Sequence, residues 1–452
     1  MWFRRDLRLS DLPALRAAAA SDHVVPLFVV DPAFDRAGAV RWAALSRALA
    51  ALDAAMGDTL VLRHGDPVAV VVEAAAETGA GEVFVSRDYT PYGRRRDAAV
   101  AAALKSTGRR LHGIGSPYAV PPGTVAKSDG SPYAVFTPFS RAWRASGWEA
   151  PLPAPKVDWR GSPHVPSEGH PPVGAMSVAV PPIGEQAATG RWEAFAGSTL
   201  SSYDELRNLP GVAGTSRLSA DLRWGTIHPR HLLASLGDGR GEEVFASELA
   251  WREFYADVLL HRPDSAWNNL DRRMDEIVVD VDDRARHRFA AWRSGRTGYP
   301  IVDAGMRQLR ATGWMHNRVR MITASFLVKD LHLPWQWGAR HFLDHLVDGD
   351  LASNNHGWQW VAGSGTDAAP YFRVFNPTAQ SERFDPEGDY IRSWVPDLAG
   401  LSGAAIHQPG PRRPHGYPAP LVDHAAEREE ALSRHKAAMA RARDHPPGTG
   451  SR

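Results

Sequence analysis

The sequence predicts a doubly wound α/β domain with a parallel sheet, followed by an all-α domain. Three observations predict it. The chain has 452 residues, beyond the size at which one hydrophobic core usually stops growing, so two domains are expected. Its first 120 residues alternate short β-rich apolar runs with Ala-rich helical segments. From about Trp192 onward, apolar residues recur at helical intervals instead.

In order along the chain, Val24–Val30 is a short apolar run closed by Asp31 and Pro32, and Leu60–Leu62 and Val83–Val85 resemble it. Between them lie the helical segments Trp42–Met56 and Val68–Thr78. Buried strands alternating with helices imply a parallel sheet covered on both faces. From about Pro151 to Gly190, Pro, Gly and Ser are dense, with Pro-Pro at 171–172 and 181–182. That texture predicts an extended connector wrapped over the surface. Glu248–Leu260 reads as a helix stopped by Arg262-Pro263. Asp303–Ala311 and Met315–Leu331 read as two more, separated at Gly313. The expected organisation is an α/β domain over 1–120, a connector over 121–198, a helical domain over 199–443 and a loose tail over 444–452.

Composition removes several classes of function. With 43% apolar and 23% charged residues the chain is a folded globular one. No stretch approaches eighteen apolar residues, so no membrane span is expected. Met1–Ser10 carries charge early and lacks an apolar signal core, which predicts a cytoplasmic protein. There are no cysteines, which excludes disulfides, thiol nucleophiles and cysteine-ligated zinc or iron–sulfur centres. No metal is expected. Between Arg284 and Arg340 stand eleven Arg or Lys against two acidic residues, Asp303 and Asp330, a surplus that suits a polyanion-facing surface as well as it suits a solvated helix face. Eleven of the sixteen tryptophans lie at or beyond Trp192, which fits core packing and equally a site that stacks flat rings.

Several polar clusters stand out. Phe3-Arg4-Arg5-Asp6-Leu7-Arg8 is short and weak alone. Thr215-Ser216-Arg217-Leu218-Ser219 follows Gly211 and Gly214, offering the hydroxyls, guanidinium and free backbone amides that a pyrophosphate needs; a capped loop would look the same. On a helix, Asn317 and Met321 share one face and His316 and Arg320 its neighbour. Asp348-Gly349-Asp350 and Asn354-Asn355-His356-Gly357-Trp358-Gln359-Trp360 follow. So many polar side chains among apolar helices need partners if buried, and a polar ligand would supply them.

Together these pieces resemble the photolyase/cryptochrome family across essentially the whole chain, most closely a bacterial class I cyclobutane pyrimidine dimer photolyase. The series TSRLS, ELAWREFY, GYPIVDAGMRQL, TGWMHNRVRM, DGDLASNN and GWQW, between Thr215 and Phe384, occurs in family order. The resemblance implies an α/β antenna domain and a helical domain that holds FAD, active when reduced. It places Tyr203, Thr215, Ser216, Arg217, Leu218 and Ser219 at the FAD phosphates and ribitol. Phe245, Glu248, Arg252, Asn317 and Arg320 complete that set, with Arg320 paired to Asp348, Asp350 close by and Asn354 facing flavin N5. A side-chain amide there favours repair over the sensing role of plant-type cryptochromes, which usually carry Asp.

The implied lesion pocket comprises Glu248, Trp251, Asn317, Arg318, Met321 and Trp360, the two indoles cradling a flipped-out dimer. Photolyases are a standing example of enzymes that extrude their base, so flipping comes with the family. Arg207, Arg318 and Gln380 match DNA-contacting positions. Taken singly, Met321 and Trp251 would be core packing; the joint pattern argues otherwise. The partner is damaged DNA, the protein a monomer, and the chemistry a cyclic electron transfer without net redox change.

Five departures qualify the resemblance. Trp358 and Trp335 match the inner and middle members of the family's electron-carrying tryptophan chain, but the outer position falls on Asp282, leaving Trp337 or another aromatic as a substitute. His356 replaces a common glycine, and Phe245 a common tryptophan. The first strand looks clipped. Val120-Pro121-Pro122-Gly123 lacks the glutamate of folate-binding members, which favours 8-hydroxy-5-deazaflavin over methenyltetrahydrofolate as the antenna. Cryptochrome-type photoreceptors and (6-4) photolyases are the alternatives.

Overall fold

The computed structural model describes residues 1–160, 165–170, 178–367 and 372–444. The Pro-Pro pair at 171–172 and all but the first residue of the expected tail lie outside them. Five strands, paired in parallel in two pieces, build the N-terminal domain: β1 (Trp2–Phe3), β2 (Leu27–Val30), β3 (Val61–His64), β4 (Glu82–Val85) and β5 (Arg110–Gly113). The ladder runs β1-β2-β3, with Leu27 opposite Trp2 and Val61 opposite Leu27, and β4 pairs with β5 in a second piece. The two pieces are joined beside β1, where the Ser86 hydroxyl donates to Asp6 at 2.6 Å and Arg4 donates to the Ser86 carbonyl. All four residues of β2 are buried, as a strand covered on both faces requires.

Helices Ala39–Ala55, Pro67–Glu77 and Pro91–Ser106 link successive strands from β2 to β5. Two of them begin where the sequence says they should. Asp66 accepts from Val68 N ahead of Pro67, and Thr90 accepts from Gly93 N ahead of Pro91; proline at the first helical position loses no needed donor.

The stretch 121–198 departs from the extended connector expected. It carries the helices Phe136–Ser146 and Glu185–Ala196. Phe136, Phe139 and Trp143 are buried at helical spacing, and the Trp143 indole donates to Glu253 at 2.6 Å. The segment thereby packs onto the helical half as part of its wall.

The helical half is built on Arg240–His261, Asp283–Ser294, Pro300–Thr312, Asn317–Ser325, Trp335–His345, Leu351–Ala362, Pro377–Phe384, Asp389–Trp394 and His424–Asp444. Met315 and His316 precede Asn317–Ser325 instead of belonging to it, because the His316 ring caps the helix by accepting from Arg318 N; a π-helical turn, Phe326–Asp330, continues it. Asp303, fully buried, explains one motif. It accepts from Thr297 N, Thr297 Oγ1, Gly298 N and the Tyr417 hydroxyl at 2.6–3.1 Å. That buried carboxylate is satisfied by fastening a turn.

The Phe3–Arg8 motif stitches the halves together. Arg8 donates to the carbonyls of Gly225 and Asp11 at 2.9 and 2.7 Å, and Arg230 pairs with Asp11 at 2.5 Å. Gly225 has φ +69°, and a Cβ there would overlap the Arg5 carbonyl, so only glycine fits. Among the described residues no helix is long and apolar enough to cross a membrane.

Candidate active site

A cavity of about 510 Å³ opens in the helical half, within the range of cofactor sites. Helix Arg240–His261 supplies one wall: Phe245, Glu248, Leu249, Arg252 and Tyr255 succeed one another at steps of three, one, three and three, which keeps them on one face. Trp251 stands at its margin. Asn317, Arg318, Arg320 and Met321 face it from Asn317–Ser325; Asn354, Trp358 and Trp360 come from Leu351–Ala362, while Tyr203, Arg207, Ser216, Leu218 and Ser219 close a third side.

One end of the cavity is strongly ionic. Arg320 donates to Asp348 Oδ2 at 2.8 Å and to the Met315 carbonyl at 2.8 Å, so the expected pair forms. Asp350 caps Leu351–Ala362 by accepting from Ser353 N and is paired with Arg5 at 2.6 Å. Burial alone would raise the Asp350 carboxyl, yet Arg5, Arg223 and Arg252 hold it well below the usual carboxylate range. Burial, with Arg5 alongside, pulls the Arg223 guanidinium down to about 9. Among the described residues Asp348 Oδ1 and Arg223 Nη1, both on the cavity wall, are buried without a partner. An orphaned acceptor and an orphaned donor are what a polar ligand resolves. The Asn354 amide nitrogen donates to the Ala339 carbonyl at 3.0 Å and to Asn355 Oδ1 at 2.8 Å, so its carbonyl oxygen is the atom left over.

The mouth is aromatic and basic. Trp251 stacks on Phe136 with ring centroids 3.7 Å apart and planes 7° from parallel. Arg318 is held by Asn208 Oδ1 at 2.7 Å, lies over the Phe384 ring at 4.4 Å and touches Met321 Sδ at 3.8 Å. Glu248 pairs with Arg207 at 2.7 Å; burial pushes its carboxyl up, and Arg207 and then Arg318 draw it back.

Four expected residues stand off the wall. Arg217 adopts φ +53° and lays its guanidinium over the Trp314 ring at 4.7 Å, away from the cavity. Thr215 precedes it on the same loop and is absent from the lining. Gln380 sits on helix Pro377–Phe384, outside the wall. Trp335 is buried and donates to Asn269 at 2.9 Å.

Residues 1–156 match the model "DNA photolyase" and residues 245–437 the model "FAD binding domain of DNA photolyase". The deoxyribodipyrimidine photo-lyase of Streptomyces griseus is 42% identical over 446 residues, covering 94% of this chain and 96% of that one. The chain belongs to the DNA photolyase family. The Escherichia coli deoxyribodipyrimidine photo-lyase is 40% identical, covering 97% of this chain and 98% of its own. A bacterial class III photolyase from Agrobacterium tumefaciens superposes with TM-score 0.87 at 35% identity, each chain covered to 97%.

Within the photolyase cavity, several residues had escaped the sequence reading. Tyr255 is four residues beyond Trp251 on the same helix, and helical spacing alone would have found it. Arg223 lies four beyond Ser219. Arg5, which pairs with the lining residue Asp350 without itself lining the cavity, had no local signal, its partner being 345 residues away. Phe245 fits where a tryptophan is common by packing against Trp192 and Tyr203, at 5.2 and 5.5 Å. His356 is absorbed structurally, bonded to Ser265 Oγ and the Ala352 carbonyl at 2.8 Å each and stacked on Tyr255. A run of touching rings leaves the cavity from Trp358 through Trp292 (6.2 Å) and Phe289 (5.8 Å) to Trp337 (5.3 Å).

Proposed function

We propose that the protein repairs cyclobutane pyrimidine dimers in DNA under light, holding reduced FAD in the cavity and a flipped-out dimer at its mouth. The observation that carries this reading is the continuity of one cavity, with Arg320–Asp348 and Asn354 at its inner end and Glu248, Trp251 and Trp360 on the way out. When bound and reduced, FAD supplies the light-driven electron that opens the cyclobutane ring and receives it back.

The chain's own residues do the rest. Ser216, Leu218 and Ser219 offer hydroxyls and backbone for the phosphates. Arg320 fixes Asp348 with one oxygen, leaving Oδ1 to accept from the cofactor's ring edge. Asn354 presents its carbonyl oxygen, an acceptor for an N–H such as that at flavin N5. Trp251, backed by Phe136, and Trp360 provide apolar faces for the dimer, with Met321 and Asn317 alongside. Glu248 holds the dimer's polar edge and steadies charge developing there. Arg207, Arg318 and Gln380 contact the DNA strand, and Trp358 passes electrons arriving from the surface to oxidised flavin.

The class I assignment rests on the motif series from Thr215 to Phe384, not on the fold, which a class III enzyme shares. For the antenna we infer 8-hydroxy-5-deazaflavin over methenyltetrahydrofolate. Supporting this are the missing glutamate before Pro122-Gly123 and Arg41 Nε, buried and unpartnered among the described residues, a donor that suits an anionic ring. A monomer is the working unit, since one chain supplies the described walls of the cavity. The test is repair of a dimer-containing oligonucleotide by the FAD-loaded, reduced protein. Thymine monomers should reappear under near-ultraviolet or blue light and not in the dark; no light-dependent repair would end the reading. Absorption spectra of the extracted chromophores decide the antenna.

A further inference from the structure

The ion pair between Arg207 and Glu248 joins a residue expected on DNA to a residue expected on the dimer. Its two side chains are 24% and 30% exposed, at the cavity mouth. Among the described residues Arg207 has no second carboxylate partner; its guanidinium otherwise only overlies the Tyr203 ring, at 5.6 Å. Arg318, the other cation at the mouth, is anchored on Asn208 through both Nε and Nη2, at 3.3 and 2.7 Å, and against Phe384. Of the two, Arg207 is the one that can change partner by breaking a single contact.

We propose, on the repair reading above, that DNA opens this pair. Arg207 leaves Glu248 for a backbone phosphate beside the lesion, and the carboxyl left behind takes up one proton from solvent and donates it to a pyrimidine carbonyl of the dimer. Arg207 is thus a positioning residue that keeps Glu248 ionised until substrate arrives.

Three physical arguments support the exchange. A phosphodiester accepts two parallel N–H bonds from a guanidinium, a stronger arrangement than the single contact it replaces. The entering dimer displaces water from the mouth, and a carboxylate stripped of water and counter-charge beside a carbonyl oxygen is costly unless protonated. The remaining groups facing Glu248 do not compensate. Arg318 acts on it from the neighbouring helix without touching it, and Tyr203 and Tyr255 are held in the neutral phenol form by burial. Arg252, one turn along its own helix, is committed to the carbonyls of Pro117 and Leu222. Helix Leu351–Ala362 presents Asn354 and Trp360, which do not titrate, and Phe136–Ser146 presents Phe136. Burial already pushes the Glu248 carboxyl upward, so the loss of Arg207 acts in the same direction.

The proton moves reversibly and no covalent bond of the protein changes, so the exchange is read as proton linkage. Binding of a dimer-containing oligonucleotide to the FAD-loaded protein is measured in the dark by titration calorimetry, in buffers of differing ionisation enthalpy, from about pH 6 to about pH 9. Net proton uptake is expected for the native protein, with Kd rising by up to about tenfold per pH unit through the window where the bound carboxyl stays protonated and the free one does not. Glu248→Gln, whose amide donates without titrating, should still bind and show no uptake at this step. Arg207→Gln should bind more weakly and take up less, because without Arg207 the Glu248 carboxyl is shifted toward its protonated form before DNA arrives. Binding and repair without proton uptake would overturn the exchange and leave the repair reading standing, as would uptake undiminished in Glu248→Gln. Failure of every variant and of the native protein to bind would instead overturn the repair reading.

Discussion

Gly338→Ala pits two known effects against each other. Gly338 lies inside helix Trp335–His345, where exchange for alanine gains about 1 kcal/mol from helix propensity alone. The structure predicts the opposite sign. A Cβ at 338 would come within 2.5 Å of Trp358 Cζ3 and 2.7 Å of Cζ2, and nearer still to Cη2. The obstacle is a rigid indole, not the far end of a flexible chain. Trp358 is 2% exposed and hemmed in by Phe342 and Trp292, with centroids at 5.0 and 6.2 Å, so it can yield only into the cavity. Overpacking of this kind costs about 1–3 kcal/mol, and the closeness of the overlap places it at the upper end. The net effect is a loss of about 2 kcal/mol, or on the order of 4–8 °C in Tm for a domain of 150–250 residues. Thermal unfolding followed by circular dichroism, with flavin release followed by fluorescence in the same scan, reads both effects. Flavin should be lost at lower temperature and bound less completely. An unchanged or raised Tm with full flavin content would refute the reasoning, since it would mean that Gly338 leaves room beneath the indole.

Trp251→Ala should weaken binding of dimer-containing DNA by about 1–3 kcal/mol, the worth of one stacking platform; equal affinity would remove Trp251 from the pocket. Binding of the native protein should fall linearly on a log–log plot against salt through counterion release, and a salt-independent Kd would contradict a phosphate-contacting mouth. Asp11 gives a pH dependence: burial would raise its carboxyl, but His228 and Arg230 hold it at about 2, below its unfolded value near 3.9. Its contribution is therefore complete above about pH 4 and lost as pH falls toward about 2. Asp11→Asn should flatten the acid side of a urea-midpoint profile, and an unchanged slope would show that the carboxylate is not held down. Trp292→Phe should slow photoreduction of bound oxidised flavin, measured by absorbance under continuous light, if electrons enter along the rings from Trp337 through Phe289 and Trp292 to Trp358; an unchanged rate would assign the entry to Trp335.

Much of this was legible in the sequence because the signals are local. Proline at a helix start behind Asp66 or Thr90 fixes a boundary within a few residues, and the spacing of Phe245, Glu248 and Arg252 places them on one face whatever packs against it. The failures have physical causes. Phe136, Phe139 and Trp143 form a regular apolar stripe, but Pro and Gly on either side masked it, and with it the ring that backs Trp251. Arg217 was read for its charge, whereas its left-handed backbone turns that charge onto Trp314. The Arg207–Glu248 pair joins two residues assigned to different partners, and composition says nothing of which holds which first.

The bridge from Arg5 to Asp350 also bears on how the protein is assembled. Its ends are 345 residues apart, and the entropy of closing so long a loop is recovered only once both halves are largely formed. Completion of the binding chamber is therefore a late event in folding. Flavin acquired during refolding should appear after helical structure, as a separate and slower phase, making chromophore uptake a clock for the docking of the N-terminal sheet.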